Sequence, residues 1–131
     1  MEKIRVLVVD DEEDFLKSLV WRLGLREMKA SGVTSGEEAL AFLAENQVDV
    51  VVLDLKMPGM NGLRALREIR RLHPETEVII LTGHAAFDSE NGTPPPGVFD
   101  YVIKPVRLEE LIGKIKAAHE KVRADRERKK G

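Results

Sequence analysis

The chain has no cysteine. That excludes a disulfide framework, a thiol nucleophile and any cysteine-based zinc site. Charge of one sign is also missing: 21 Lys and Arg against 23 Asp and Glu leave a net charge near −2. Nothing global therefore points to nucleic acid or to an anionic membrane. No apolar stretch reaches membrane-spanning length. The opening MEK runs directly into a strand-like segment without the apolar region of a signal peptide, so a reducing cytoplasmic setting is expected. Internal repeats and an inter-domain linker are absent as well.

What is present fits one domain of common size. Of 131 residues, 43% are hydrophobic and 34% charged, enough for a real core and for helices with one solvated face. Residues 4–9 (IRVLVV), 48–55 (VDVVVLDL) and 77–82 (EVIILT) are apolar, β-branched runs without polar alternation. Such runs predict strands buried on both faces, as in a parallel sheet covered by helices. Residues 99–105 (FDYVIKP) give a fourth strand and 27–35 a weaker fifth.

Helical patterns lie between them. Phe15, Leu16, Leu19, Val20 and Leu23 recur at three- and four-residue spacing up to Gly24. Ser35 and Glu38 have the spacing of a capping box ahead of Ala39, Leu40, Phe42 and Leu43. Leu63, Leu66 and Ile69 or Leu72 form a stripe that stops before Pro74. Leu108, Leu111, Ile112, Ile115 and Val122 form the last one. This alternation predicts a doubly wound α/β sheet. One interval breaks the rhythm, because between Thr82 and Phe99 the Gly/Pro-rich stretch at 91–97, with Pro94, Pro95 and Pro96, cannot sit inside an ordinary helix. A turn or two of helix at residues 85–90 is the most this segment is expected to hold.

The acids stand at strand ends. Asp10 and Asp11 close the run at 4–9 and Asp54 stands at the end of the run at 48–55. In a parallel sheet the functional crevice lies at the carboxyl ends of the strands, where strand order reverses. With the first and third strands as central neighbours, three carboxylates converge there and repel one another. A hard divalent cation such as Mg²⁺, which keeps waters and takes phosphate oxygens, relieves that repulsion. Thr82 brings a hydroxyl to the same crevice, and Lys104 brings a cation able to pair with a phosphoryl group. Asp54 is thus read as presented, beside a metal, to a phosphoryl donor.

Asp10-Asp11, Asp54 followed by KMPGMNG, Thr82-Gly83, Tyr101 and Lys104-Pro105 together resemble the receiver domain of two-component response regulators. The resemblance spans roughly residues 3–122. It implies a five-stranded parallel sheet of flavodoxin-like order 2-1-3-4-5 with about five helices, the fourth here shortened or disordered. Residues 1–122 would be the receiver domain and 123–131 a charged helix extension or the start of a linker. It implies that Asp54 is the phosphoacceptor, attacking the phosphohistidine of a histidine kinase or phosphotransfer protein, or a small phosphodonor. Asp10, Asp11, Asp54 and the backbone carbonyl of Lys56 would bind Mg²⁺. Lys104 would pair with the phosphoryl oxygens, Thr82 would hydrogen-bond one of them, and Tyr101 would be the aromatic switch. The Lys104–Pro105 peptide bond is expected to be cis. Lys56 and His84 are expected to tune dephosphorylation. The family's output face, built from the fourth helix, fifth strand and fifth helix, would carry the signal to a downstream target or a homodimer partner. The helix-breaking stretch alters that face.

Two other classes compete. A phosphate-independent adaptor would use the altered face without chemistry at Asp54. A Mg²⁺-dependent phosphohydrolase of the haloacid dehalogenase-like group needs a second acid two residues after its nucleophile, where this chain has Lys56. An FMN protein of the same topology is disfavoured because DDEEDF after the first strand would repel the phosphate. His73 and His119 read as helix-surface residues, and Met57 and Met60 as loop packing. The tail from His119 to Gly131, with six Lys or Arg and three Asp or Glu, reads as a solvated helix end.

Overall fold

The apolar runs become the middle of a sheet. In the computed structural model, which describes residues 3–56, 62–83 and 96–130, five parallel strands form: β1 (Arg5–Val9), β2 (Lys29–Val33), β3 (Val50–Asp54), β4 (Glu77–Thr82) and β5 (Asp100–Ile103). Their order is β2-β1-β3-β4-β5, the order expected. Every residue of β3 and β4 is buried, whereas the edge strand β2 is half-exposed. That difference is why the sequence of β2 carries the weakest apolar signal.

Four helices lie among the described residues: α1 (Glu13–Leu25), α2 (Gly36–Glu45), α3 (Gly62–Leu72) and α4 (Leu108–Lys130). The last is the helix expected as fifth. The segment expected to hold a shortened fourth helix, and the Gly/Pro-rich stretch up to Pro95, lie outside the described residues. The helices divide between the two faces of the sheet, and β3 feeds both cores with alternate residues. Val50 and Val52 pack with Leu16, Leu19 and Leu23 of α1 and Leu111 and Ile115 of α4. Val51 and Leu53 pack with Ala39 and Leu43 of α2 and Leu66 and Ile69 of α3. On α3 it is Ile69 that enters the core, and Leu72 stays 50% exposed.

Helix ends follow local chemistry, with two departures from expectation. α1 does not stop at Gly24 but continues to Leu25. It closes on Glu27, which takes φ +65°. The Glu27 N–H donates to the Gly24 carbonyl and the Met28 N–H to that of Leu23, the pairing of a Schellman cap, with Met28 and Leu23 buried together. At α2 the Ser35 hydroxyl accepts from the Glu38 N–H at 3.1 Å. The Glu38 carboxylate reaches back one residue further than a capping box requires, to the N–H and hydroxyl of Thr34 at 2.9 and 2.6 Å. Those bonds hold its pKa below the usual carboxylate value.

The tail of α4 is more than a solvated end. Arg126 donates to Asp49 at 3.0 Å, Lys121 reaches Glu77 at 3.4 Å, and Lys129 reaches Glu75 at 2.7 Å. Asp49 and Glu77 are buried acids at the amino ends of the central strands, 1% and 3% exposed. Arg5 adds its backbone N–H at 2.9 Å and its guanidinium at 3.4 Å to Asp49. Burial pushes the Asp49 carboxyl up, yet the bonds and charges of Arg5 and Arg126 outweigh it and leave the pKa lowered. A buried carboxylate is retained because it is fully paired.

Two outcomes are expected. Glu27→Gly should raise stability by about 0.5–1 kcal/mol in a denaturant titration, since glycine takes positive φ without the Cβ penalty. Asp49→Asn should cost about 2 kcal/mol at pH 7. Because the folded pKa of Asp49 is depressed, its contribution is present above the ordinary Asp value near ~4 and is lost as pH falls through the folded value. The gap between wild type and Asp49→Asn should therefore narrow as unfolding is repeated at progressively lower pH.

Candidate functional site

Strand register decides which side chains meet. β1 and β3 lie side by side with Val9 opposite Leu53, so Asp10, the residue after β1, comes level with Asp54, the last residue of β3. Asp10, Asp11 and Asp54 each offer a carboxylate oxygen within 4.8 Å of the others. Asp10 is fully buried, Asp54 is 6% exposed, and Asp11 faces solvent. One oxygen of Asp10 accepts the Glu12 N–H at 2.9 Å, so the acid also turns the chain into α1. Asp54 accepts the Lys56 N–H at 3.1 Å.

Lys104 reaches in from the end of β5. Its backbone N–H donates to the Thr82 carbonyl at 2.7 Å, which fixes the two strand ends together. Its Nζ lies 3.0 Å from Asp10, 3.6 Å from Asp54 and 3.6 Å from Glu12. It also lies 4.7 Å from the centre of the Phe15 ring, within cation–π range. The peptide bond from Lys104 to Pro105 is cis. Thr82 is nearly buried at the end of β4, where its neighbour Leu81 is registered with Asp54.

Tyr101 stands apart from this group. It pairs with Ile80 on β4, two residues below the level of Thr82, and is half-buried on the edge strand against the α2–α3 core. The structure therefore gathers Asp10, Asp11, Asp54, Thr82 and Lys104 at one edge and leaves Tyr101 on the flank. His84, Met57 and Met60 lie outside the described residues. Sequence reasoning missed Glu12 and Phe15. Glu12 was one acid in a run of acids, and Phe15 belonged to a stripe read wholly as core.

The electrostatics favour a cation. Burial pushes the Asp54 pKa above the usual Asp value, and Asp10 and Asp11 push the same way, while the Lys56 N–H and Lys104 oppose them. Burial alone would lower the pKa of Lys104. Its hydrogen bond to Asp10 and the charges of Asp54, Asp10 and Glu12 outweigh that and raise it. One ammonium thus serves several carboxylates, and repulsion among the acids persists. Hard oxygen donors this close suit a divalent ion such as Mg²⁺.

The loop behind Asp54 has its own constraint. The Gly62 N–H donates to the Leu55 carbonyl at 3.1 Å. A Cβ on Gly62 would stand 2.3 Å from the Leu55 Cα, a distance no side chain tolerates. Glycine at the start of α3 lets the chain return against the residue that follows Asp54.

Known proteins share this sequence and fold. Residues 6–116 match the response regulator receiver domain family. The regulatory protein AtoC of Escherichia coli is 37% identical over 107 residues, covering 82% of this chain and 23% of AtoC. The DNA-binding transcriptional regulator NtrC of Salmonella typhimurium is 37% identical over 123 residues, covering 90% of this chain and 25% of NtrC. The chain thus spans about a quarter of these curated relatives. Among solved structures, a response regulator receiver domain from Clostridium thermocellum superposes with a TM-score of 0.83 at 34% identity, covering 92% of this chain and 98% of that one. The response regulator TrrA of Thermotoga maritima, solved in complex with Mg²⁺-BeF, gives a TM-score of 0.78 at 32% identity, covering 88% and 98%.

The raised pKa of Asp54 has a consequence for stability. Folding binds that proton more tightly than the unfolded chain does, so ionising Asp54 costs stability as pH rises above the ordinary Asp value. Asp54→Asn should therefore raise the thermal midpoint at pH 7. Scanning calorimetry at descending pH should find the difference shrinking once Asp54 in the wild type is protonated.

Proposed function

The chain belongs to the response regulator receiver domain family, and from that membership we propose that Asp54 is the residue that receives the phosphoryl group. The donor is the phosphohistidine of a histidine kinase or phosphotransfer protein, or a small phosphodonor. One observation carries the assignment. Asp54 is the carboxylate at the end of a fully buried central strand, 3.6 Å from Lys104 and clustered with Asp10 and Asp11.

An oxygen of Asp54 attacks the phosphorus, the bond from phosphorus to the imidazole nitrogen breaks, and the donor leaves with the electron pair. The chain's part is positioning and charge. Lys104 exchanges a carboxylate for the incoming phosphoryl oxygens, and Thr82 donates its hydroxyl to one of them. Asp10, Asp11, Asp54 and the Lys56 carbonyl hold Mg²⁺, which when bound offsets the negative charge of the acids and of the phosphoryl group. Tyr101 follows Thr82 in the conformational change. Lys56 and His84 set how long the phosphoryl group lasts.

In this reading residues 1–122 form the receiver, and 123–131 are a helix extension or the beginning of a linker. The chain is a regulator in the cytoplasm that assists its own phosphorylation and dephosphorylation rather than an enzyme acting on other substrates. No helix among the described residues is long and apolar enough to cross a membrane. Output passes through the face of β5 and α4, to a downstream target or to a second copy of the chain.

The test is incubation with acetyl phosphate, with and without Mg²⁺, followed by intact mass, with beryllofluoride binding read by the fluorescence of Trp21. A gain of one phosphoryl group is expected only with Mg²⁺ and never in Asp54→Asn. Circular dichroism should find that variant folded, so that its silence is not unfolding. Lys104→Met should bind beryllofluoride at least about tenfold more weakly. No adduct and no fluorescence response in the folded wild type would reject the assignment and favour a phosphate-independent adaptor.

A further inference from the structure

β5 is an edge strand of the sheet, and an edge strand turns backbone groups away from its one neighbouring strand. At Tyr101 both groups are taken by side chains. The N–H donates to the Asp100 carboxylate at 2.7 Å. The carbonyl accepts from Lys114 Nζ at 2.6 Å. The two side chains also face each other, with Lys114 Nζ 3.4 Å from Asp100 and 3.7 Å from Glu110 on the previous turn of α4. The same ammonium stands 5.3 Å from the centre of the Tyr101 ring. Lys114 is half-buried, so these contacts are only partly screened by solvent.

We propose that Lys114 is a positioning residue that holds Tyr101, backbone and ring together, in the arrangement seen here, with Asp100 and Glu110 keeping the ammonium in place. The bond to the carbonyl fixes the strand edge, and the cation at the ring fixes the side chain. Any movement of the ring away from α4 must give up the cation–π contact, and any shift of the edge must give up the carbonyl bond. Lys114 is therefore a brake on Tyr101. It belongs to α4, whose far end is anchored to Asp49 and Glu77 through Arg126 and Lys121, so the brake is mounted on a helix fixed at the amino ends of the central strands. The inference rests on the reading of Tyr101 as the moving aromatic for its functional meaning, but the positioning itself is measurable without it.

The chain has one tyrosine, so fluorotyrosine labelling gives a single fluorine NMR signal that reports Tyr101 directly. In the unphosphorylated protein, Lys114→Met keeps the aliphatic stem and removes the ammonium, and Lys114→Gln does the same with a shorter polar tip. Both should shift or broaden the signal and raise the minor population about threefold to tenfold. Lys114→Arg, which retains a cation for ring and carbonyl, should restore the wild-type line. Beryllofluoride with Mg²⁺ should then half-saturate the Met variant at a concentration about threefold lower than wild type, because less must be broken on switching. A role in stability alone would lower the thermal midpoint and leave the line unmoved. If the signals of both Met and Gln variants superimpose on wild type, the positioning role is wrong. A wild-type signal that ignores beryllofluoride while the Met variant shifts would reject the switch reading of Tyr101 and keep the positioning.

Discussion

The architecture turns on the convergence of like charges. Parallel strands in register bring Asp10 and Asp54 to one edge, with Asp11 beside them, and one ammonium, Lys104 Nζ, stands between Asp10, Asp54 and Glu12. Unopposed, such a group would protonate or push apart. Lys104 relieves part of the repulsion, and burial, with the charges of Asp10 and Asp11 behind it, still holds the Asp54 pKa above its usual value. A divalent cation would offset that surplus of negative charge. The site is held in tension by a buried sheet that cannot yield to it, since every residue of β3 and β4 is buried between two cores.

The opposite end of the sheet solves the same problem differently. Asp49 and Glu77 are also acids on the central strands, but there Arg5, Arg126 and Lys121 supply cations for them. The Asp49 carboxyl accordingly lies below its usual pKa where Asp54 lies above. One edge of the sheet is electrostatically satisfied and structural. The other is left short of positive charge. α4 connects the two, giving Arg126 and Lys121 to the base and Lys114 to the edge strand beside Tyr101.

Much of this was legible in the sequence, for identifiable reasons. Unbroken β-branched runs mark strands buried on both faces, and the acids that end them are conspicuous because a carboxylate rarely follows such a run without purpose. Asp10, Asp11, Asp54 and Lys104 were therefore found from position alone. Glu27 was not, because a helix stop is read from glycine, and Gly24 offered itself three residues early. Nor were the partners of the α4 tail, since alternating charge on a helix end looks the same whether it faces water or the buried acids of another element. Phe15 was placed correctly on an apolar face, yet the cation above its ring comes from a residue 89 positions away.

The sequence by itself determined the strands, the helices and the edge at which the acids collect, because periodicity and strand ends are local properties of the chain. Only the tertiary structure decided which cation meets which carboxylate. Lys104, Lys114, Lys121 and Arg126 are all basic residues of the C-terminal third, and apart from the place of Lys104 at a strand end before Pro105, nothing local distinguishes them. The register of β5 and the path of α4 send the first into the crevice, the second to the edge of Tyr101 and the last two to the base. Electrostatic pairing depends on distance in space, and distance in space is set by packing.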